Sequence, residues 1–272
     1  MNRHSTQLAE ALDPAVPTGA TSRFAAKSLA REEARAVRNA SRPARRIRRV
    51  AWLAIAAQVA FVFSMLIAAA WQGPHYSLIS DSMSDMYAVT APDALFLVVV
   101  LTLCGAATMW FAWRGLRPAL APAGRRLATV TSALLALSIF GIGDLLTPAS
   151  RLDCRLADPG CTPAMQLSNL GGKMDDGFST VGVILLIACG FVLAYTLKRI
   201  PAWRSWVRPV RWFSVMMIAL LILDGVTQGA NGLSGMFERF IALTGAAGIA
   251  LLAAGVARRS RTAELTEVAP PR

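Results

Sequence analysis

Asp144 and Asp224 stand in two similar phrases, GIGDLLTPAS and LILDGVTQGA, each ending a long apolar run and each followed three residues later by a threonine, Thr147 and Thr227. A carboxylate there meets the negative end of a helix dipole and loses hydration, so something must compensate it. Arg239, next to Glu238 at the start of the last apolar run, is the one basic residue expected at the same membrane boundary, while Arg151, Arg155 and Lys173 lie in the loop beyond it. Further acids at comparable depth are Asp81, Asp85, Asp175 and Asp176, with His75 close to the first two in sequence. Two arrangements fit these residue types. One is an ion-pair cluster that locks the helices together. The other is an outward-facing polar cavity for a cation, a proton or a lipid headgroup, because ionisable groups within a membrane often mark such sites.

Other chemistry is sparse. Ser82 and Ser84 lie beside acids, but a hydrolase would need a base and only His75 is at hand on that side. Two histidines in the whole chain, one of them His4 in a polar lead, exclude a bis-histidine haem, and no cofactor is expected. No P-loop, GxSxG, HExxH or dinucleotide fingerprint occurs, so the reading leans away from an enzyme. Cys154 and Cys161 in RLDCRLADPGC suit a disulfide if their loop meets an oxidising space, whereas no zinc-type spacing supports a metal site. Cys104 and Cys189 fall inside apolar runs as packing residues.

The elements that carry these residues follow from composition. With 55% hydrophobic and 16% charged residues, the 272-residue chain is far more apolar than a water-soluble domain. Six windows approach the ~20 residues that span a bilayer as a helix: 50–71, 94–113, 127–146, 178–197, 212–230 and 236–256. Each must be helical, since lipid offers no partner to backbone amides. The expected fold class is therefore all-α, a polytopic bundle of six transmembrane helices. The first window follows a long polar lead and is read as an uncleaved helix rather than a signal peptide.

Charge sets the orientation. Lead, second link, fourth link and tail together hold 24 of the 28 Lys and Arg with 6 acids; the other side holds 4 basic and 10 acidic residues. Positive links stay inside, so both termini are expected in the cytoplasm of a cell-membrane protein. Trp52, Trp110, Trp113 and Trp212 fall at inner helix ends and Trp71 at an outer one, as interfacial rings should. The chain divides into a basic lead (1–47), a six-helix domain (48–256) and a tail (257–272). Residues 1–22 are expected to be disordered, and 23–49 to be helical as far as Pro43. Ten basic residues in 23–49 suit attraction to anionic lipid, or simply fix topology. The expected partners are the bilayer and its anionic lipids; no nucleic-acid module is present. Gly182, Gly190, Gly245 and Gly248 offer small faces for close helix packing.

The basic lead, the six helices, the Ser82–Ser84–Asp85 turn, the loop with Pro148, Asp153, Asp158 and Pro159, and the Gly232–Gly235–Glu238–Arg239 entry to the last helix resemble a bacterial six-helix membrane family, domain of unknown function 998. The likeness spans roughly residues 48–256. It implies the fold and the membrane, and no activity. Members often carry a histidine where helix four begins, and this chain has Asp175 and Asp176 there.

Overall fold

The computed structural model describes the backbone of residues 19–227 and 232–268, and side chains for 42–227 and 232–262. Of residues 1–22, expected to be disordered, 19–22 open α1 as helix and 1–18 lie outside the described residues, as do residues 228–231 and 269–272 and the side chains of Arg23, Lys27, Arg31, Arg35 and Arg38.

Among the described residues every regular element is a helix. They are α1 (Gly19–Ala69), α2 (Ala94–Phe111), α3 (Arg117–Leu120), α4 (Arg125–Ala136), α5 (Pro163–Gln166), α6 (Leu170–Lys198), α7 (Val207–Thr227) and α8 (Ser234–Val268). Among the described residues five stretches are long and apolar enough to cross a membrane, with mean hydropathy from 1.7 to 2.3: Arg42–Ala69, Ala94–Ala123, Leu170–Lys198, Pro201–Thr227 and Ser234–Thr262. The described chain is thus all-helical, with the spans of a multi-pass integral membrane protein. α1 packs along both α8 and α2, while α7 lies at the edge against α6 and α8 and leaves Trp212, Ile222 and Val226 exposed.

The helix expected over 127–146 is not continuous. α4 stops at Ala136, Ser138 turns to extended backbone (ψ 173°), and the chain resumes as a wide π-type turn over Ile139–Gly143. Ser138 favours the break by donating its hydroxyl to the Leu135 carbonyl at 2.7 Å, a local alternative to the helical ladder. The folded-back chain also needs a glycine: a Cβ on Gly141 would stand 2.1 Å from the Ala136 carbonyl oxygen. Irregular backbone at this depth is tolerated where protein covers it. Here α2 and α6 do so, through Gly105 and Gly182, which let backbone meet backbone. The interrupted segment still runs antiparallel to α6 over most of its length. Thr131 meets Thr196, Ile139 meets Gly182, and the carbonyls of Ala149 and Arg151 lie against Gly171.

A second departure concerns Pro43, where the first helix was expected to stop. α1 instead runs through it. Pro43 leaves the Asn39 carbonyl without its helical donor, but it is exposed, so solvent can replace that bond.

Gln58 donates to Thr108 at 3.0 Å and the Cys104 thiol to the Ala57 carbonyl, tying α1 to α2 inside the core. The small faces receive bulk: Gly245 adjoins the Phe140 ring, Gly248 the Phe213 ring, and Gly190 the Ser214 side chain.

Candidate functional site

The acid-rich segments gather at one end of the bundle. Backbone bonds from Val89 to Leu152 (2.9 Å) and from Met236 to Ile79 (2.9 Å) bring the 70–93 link, the 148–169 loop and the start of α8 together. The basic links lie at the opposite end, where Arg117 reaches Thr129 and Arg259 reaches the Ala202 carbonyl.

At the acid-rich end the Gly-x-x-Gly-x-x-Glu-Arg phrase acquires a physical meaning. Gly232 takes a left-handed φ of 61°, and Gly235 lies so close to the 76–87 link that a Cβ would stand 2.2 Å from the Asp81 carbonyl oxygen. Glu238 accepts the Met83 amide at 2.8 Å. Arg239 donates to the carbonyls of Asp81 (2.8 Å) and Gly235 (2.7 Å) and to the Tyr76 hydroxyl. Arg239 thus serves neutral oxygens. Its removal takes a charged donor from these part-buried acceptors, and Arg239→Ala is expected to cost about 3 kcal/mol of stability, since hydrogen bonds from charged donors are worth roughly 1.5–3 kcal/mol each. Thermal unfolding in detergent measures it, and an unchanged midpoint would show that the tether is slack.

The neighbouring groups are held in the same manner. The Asp81 carboxylate accepts the Ser77 amide (2.7 Å) and the Ser80 hydroxyl (3.2 Å), which closes its own turn. Asp85 is fully buried; its Oδ1 accepts from Gln166 at 2.6 Å, while Oδ2 has no hydrogen bond. Burial pushes the Asp85 carboxyl up to about 7, the Asp81 charge adding to the rise and the Leu156 amide, Gln166 and Arg155 opposing it. Tyr87 donates to Asp175 at 2.9 Å, and Ser84 lies 2.9 Å from the same hydroxyl. Burial raises both phenols above the ordinary tyrosine range, with Asp175 adding to the effect at Tyr87 and Arg239 opposing it at Tyr76. Both therefore stay protonated as donors.

Asp81, Asp85, Asp175, Glu238 and Arg239 thus converge on the 76–87 link, whereas His75 and Asp176 are exposed at its margin. Asp144 stands apart, on the interrupted segment next to Gly105, 8% exposed and with its Oδ2 unbonded. Asp224 is half-buried and close enough to Glu238 to feel its charge. The shared Asp-x-x-Thr phrase has a local use in both helices: Thr147 donates to the Asp144 carbonyl (2.8 Å) and Thr227 to that of Asp224 (3.0 Å).

Cys154 and Cys161 are disulfide-bonded, closing the loop in which Arg155 pairs with Asp158 (2.5 Å) and reaches the Gln72 carbonyl at 3.0 Å. That pairing holds the Asp158 carboxyl below the usual range despite its partial burial. Arg151 anchors the loop to the link, donating to the carbonyls of Tyr87 and Ala88 at 2.8 Å each.

Tyr76, Tyr87 and Gln166 were not singled out by sequence reasoning. A signal was present for two of them, since two of the chain's three tyrosines fall in this one acid-rich link.

No hydrolytic arrangement forms here. The Ser82 hydroxyl accepts the Asp85 amide, Ser84 faces Tyr87, and His75 bonds to neither serine. Among the described residues no group of three or more His, Cys, Asp or Glu could hold a metal ion.

Comparison with known proteins agrees with the layout of the motifs. Neither the curated proteins nor the solved structures provide a match. The model of one family, described as a protein of unknown function (DUF998), matches residues 54–255, and that span takes in the interrupted segment, the disulfide loop and the whole Arg239 tether. The chain belongs to the DUF998 family, proteins of unknown function.

Proposed function

We propose that this chain is a non-enzymatic organiser of the bacterial plasma membrane, crossing it six times with both termini in the cytoplasm and engaging anionic lipid through its basic N-terminal segment. The sixth crossing is the interrupted segment beside α6. The observation that carries the reading is the use made of ionisable groups. Asp175, Glu238 and Arg239 at the outer end are engaged in joining the 76–87 link to helices, and Asp81 in closing a turn of that link, as a structural seal would require. Meanwhile the inner links 42–49, 114–126 and 198–211 contain arginine and lysine and no acid.

One observation favours a second reading, a proton- or cation-coupled carrier. Asp144 is a buried carboxyl with an unbonded oxygen on a discontinuous helix, and transporters place ion sites at such breaks.

Reconstitution separates the two. Liposomes containing the intact chain under a pH gradient are expected to pass protons and sodium no faster than empty ones, with Asp144→Asn and Asp224→Asn altering only stability. A pH-dependent flux that either variant abolishes would establish the carrier instead. Thr90→Cys should react with an impermeant reagent from outside the cell and Ala121→Cys only after permeabilisation; the reverse pattern would overturn the orientation.

A further inference from the structure

The basic end contains an open hollow of about 620 Å³ between α1 and the helical continuation of α2 through residues 112–120. Five arginines line it: Arg42 and Arg46 from α1, Arg114 from that continuation, Arg117 from the start of α3, and Arg125 from the start of α4. Residues 42–80 and 94–143 contain no Asp or Glu, and among the described residues none of the five arginines is paired with a carboxylate.

The guanidinium groups form two opposed walls. Arg42 and Arg46 are four residues apart on one helix face, and Arg114 and Arg117 are three apart on the facing helical stretch. The second wall is held in place. Arg117 donates to Thr129 at 3.2 Å and lies over the Trp113 ring at 5.7 Å, and Arg114 lies over the Trp110 ring at 5.4 Å. Ile47, Ala128 and Trp113 supply apolar lining among the charges. Five like charges around one hollow repel each other, and an anion seated among them removes that repulsion.

We infer that this hollow binds a lipid headgroup carrying two phosphodiesters, of the cardiolipin type. Arginine pairs with phosphate through two parallel N–H donors, so each phosphate can take one fork from either wall. One phosphate would leave a wall's worth of charge uncompensated. The tryptophans and apolar lining suit the glycerol and acyl region of a lipid rather than a free anion. The inference rests on the proposed orientation, which puts this end at the inner leaflet.

The test uses the full chain in phosphatidylcholine nanodiscs, with cardiolipin, phosphatidylglycerol at equal phosphate, or soluble pyrophosphate added, and counts retained lipid by native mass spectrometry. Cardiolipin is expected to be retained over phosphatidylglycerol. Arg114→Gln with Arg117→Gln should weaken it by about thirtyfold, from roughly 1 kcal/mol per basic residue near the surface. Arg204→Gln with Arg208→Gln removes the same charge from another inner link and should leave retention unchanged. Arg114→Lys with Arg117→Lys keeps charge without forks and should fall between. Thermal midpoints without anionic lipid confirm that each variant folds. Equal losses in both glutamine pairs, full retention by the lysine pair, or no preference over phosphatidylglycerol would overturn the site. Pyrophosphate binding that needs Arg114 and Arg117 while cardiolipin does not bind would overturn the lipid source. If no form retains any anionic lipid, the proposed function fails with it.

Discussion

Gly105→Ala is expected to leave little folded protein. A Cβ at this position of α2 would stand 2.3 Å from the Leu145 amide nitrogen, 2.6 Å from the Gly141 carbonyl oxygen and 2.9 Å from the Asp144 carbonyl carbon. All three are backbone atoms, so no rotamer change relieves the clash. Either α2 withdraws, opening the Gln58–Thr108 and Cys104–Ala57 contacts, or the interrupted segment is pushed off α6. Overpacking costs about 1–3 kcal/mol where side chains can yield, and the cost here sits at or above the top of that range. A typical fold has only ~5–15 kcal/mol to lose. Gly177→Ala is the matched control: that α6 glycine has nothing within 4 Å of its would-be Cβ, so alanine's better helix propensity should raise stability by about 0.5–1 kcal/mol. Folded yield by size exclusion and unfolding followed by tryptophan fluorescence report both. If Gly105→Ala folds with an unchanged midpoint, the interrupted segment does not pack as described.

Asp85→Asn should stabilise the protein at pH 8 and leave it little changed at pH 4. The Asp85 carboxyl is raised from the ordinary 3.8 to about 7 by burial, so the folded state holds a proton that the unfolded state has released between those values. Stability falls with pH wherever the folded state binds more protons. The wild-type protein therefore weakens as pH rises from about 4 to about 7 and stays weaker above. The span corresponds to about 4 kcal/mol at most by linkage arithmetic, and Arg155 and water nearby reduce it. Asparagine keeps the acceptor that Gln166 uses and removes the charge. Asp175, Glu238 and the other carboxylates titrate in both proteins, so the difference between the two midpoint curves isolates Asp85. Parallel curves from pH 4 to pH 8 would mean that Asp85 does not carry this proton.

Much of the architecture was legible in the chain alone, because the signals involved are local. A run of about 20 apolar residues facing lipid must satisfy its own backbone and so is helical, as five of the six windows are, and arginine-rich links separate from acid-rich ones by a rule that reads each link by itself. The same holds for the Arg239 entry phrase, whose glycines and charges lie within one stretch of eight residues.

Tertiary structure decided what depends on distant partners. Apolar composition makes 127–146 look like its neighbours, yet the helix breaks at Ser138, and Gly105 on α2 and Gly182 on α6 supply the room for the broken backbone. Nor could spacing tell which acids would meet: Asp175 finds Tyr87 across 88 residues and Glu238 finds the Met83 amide across 155, while Asp144, which resembles Asp224 in sequence, ends up with an oxygen bonded to nothing. A window of sequence records how a segment meets lipid and water, whereas the fate of a buried polar group turns on which other segment lies within about 3 Å of it, and only packing determines that.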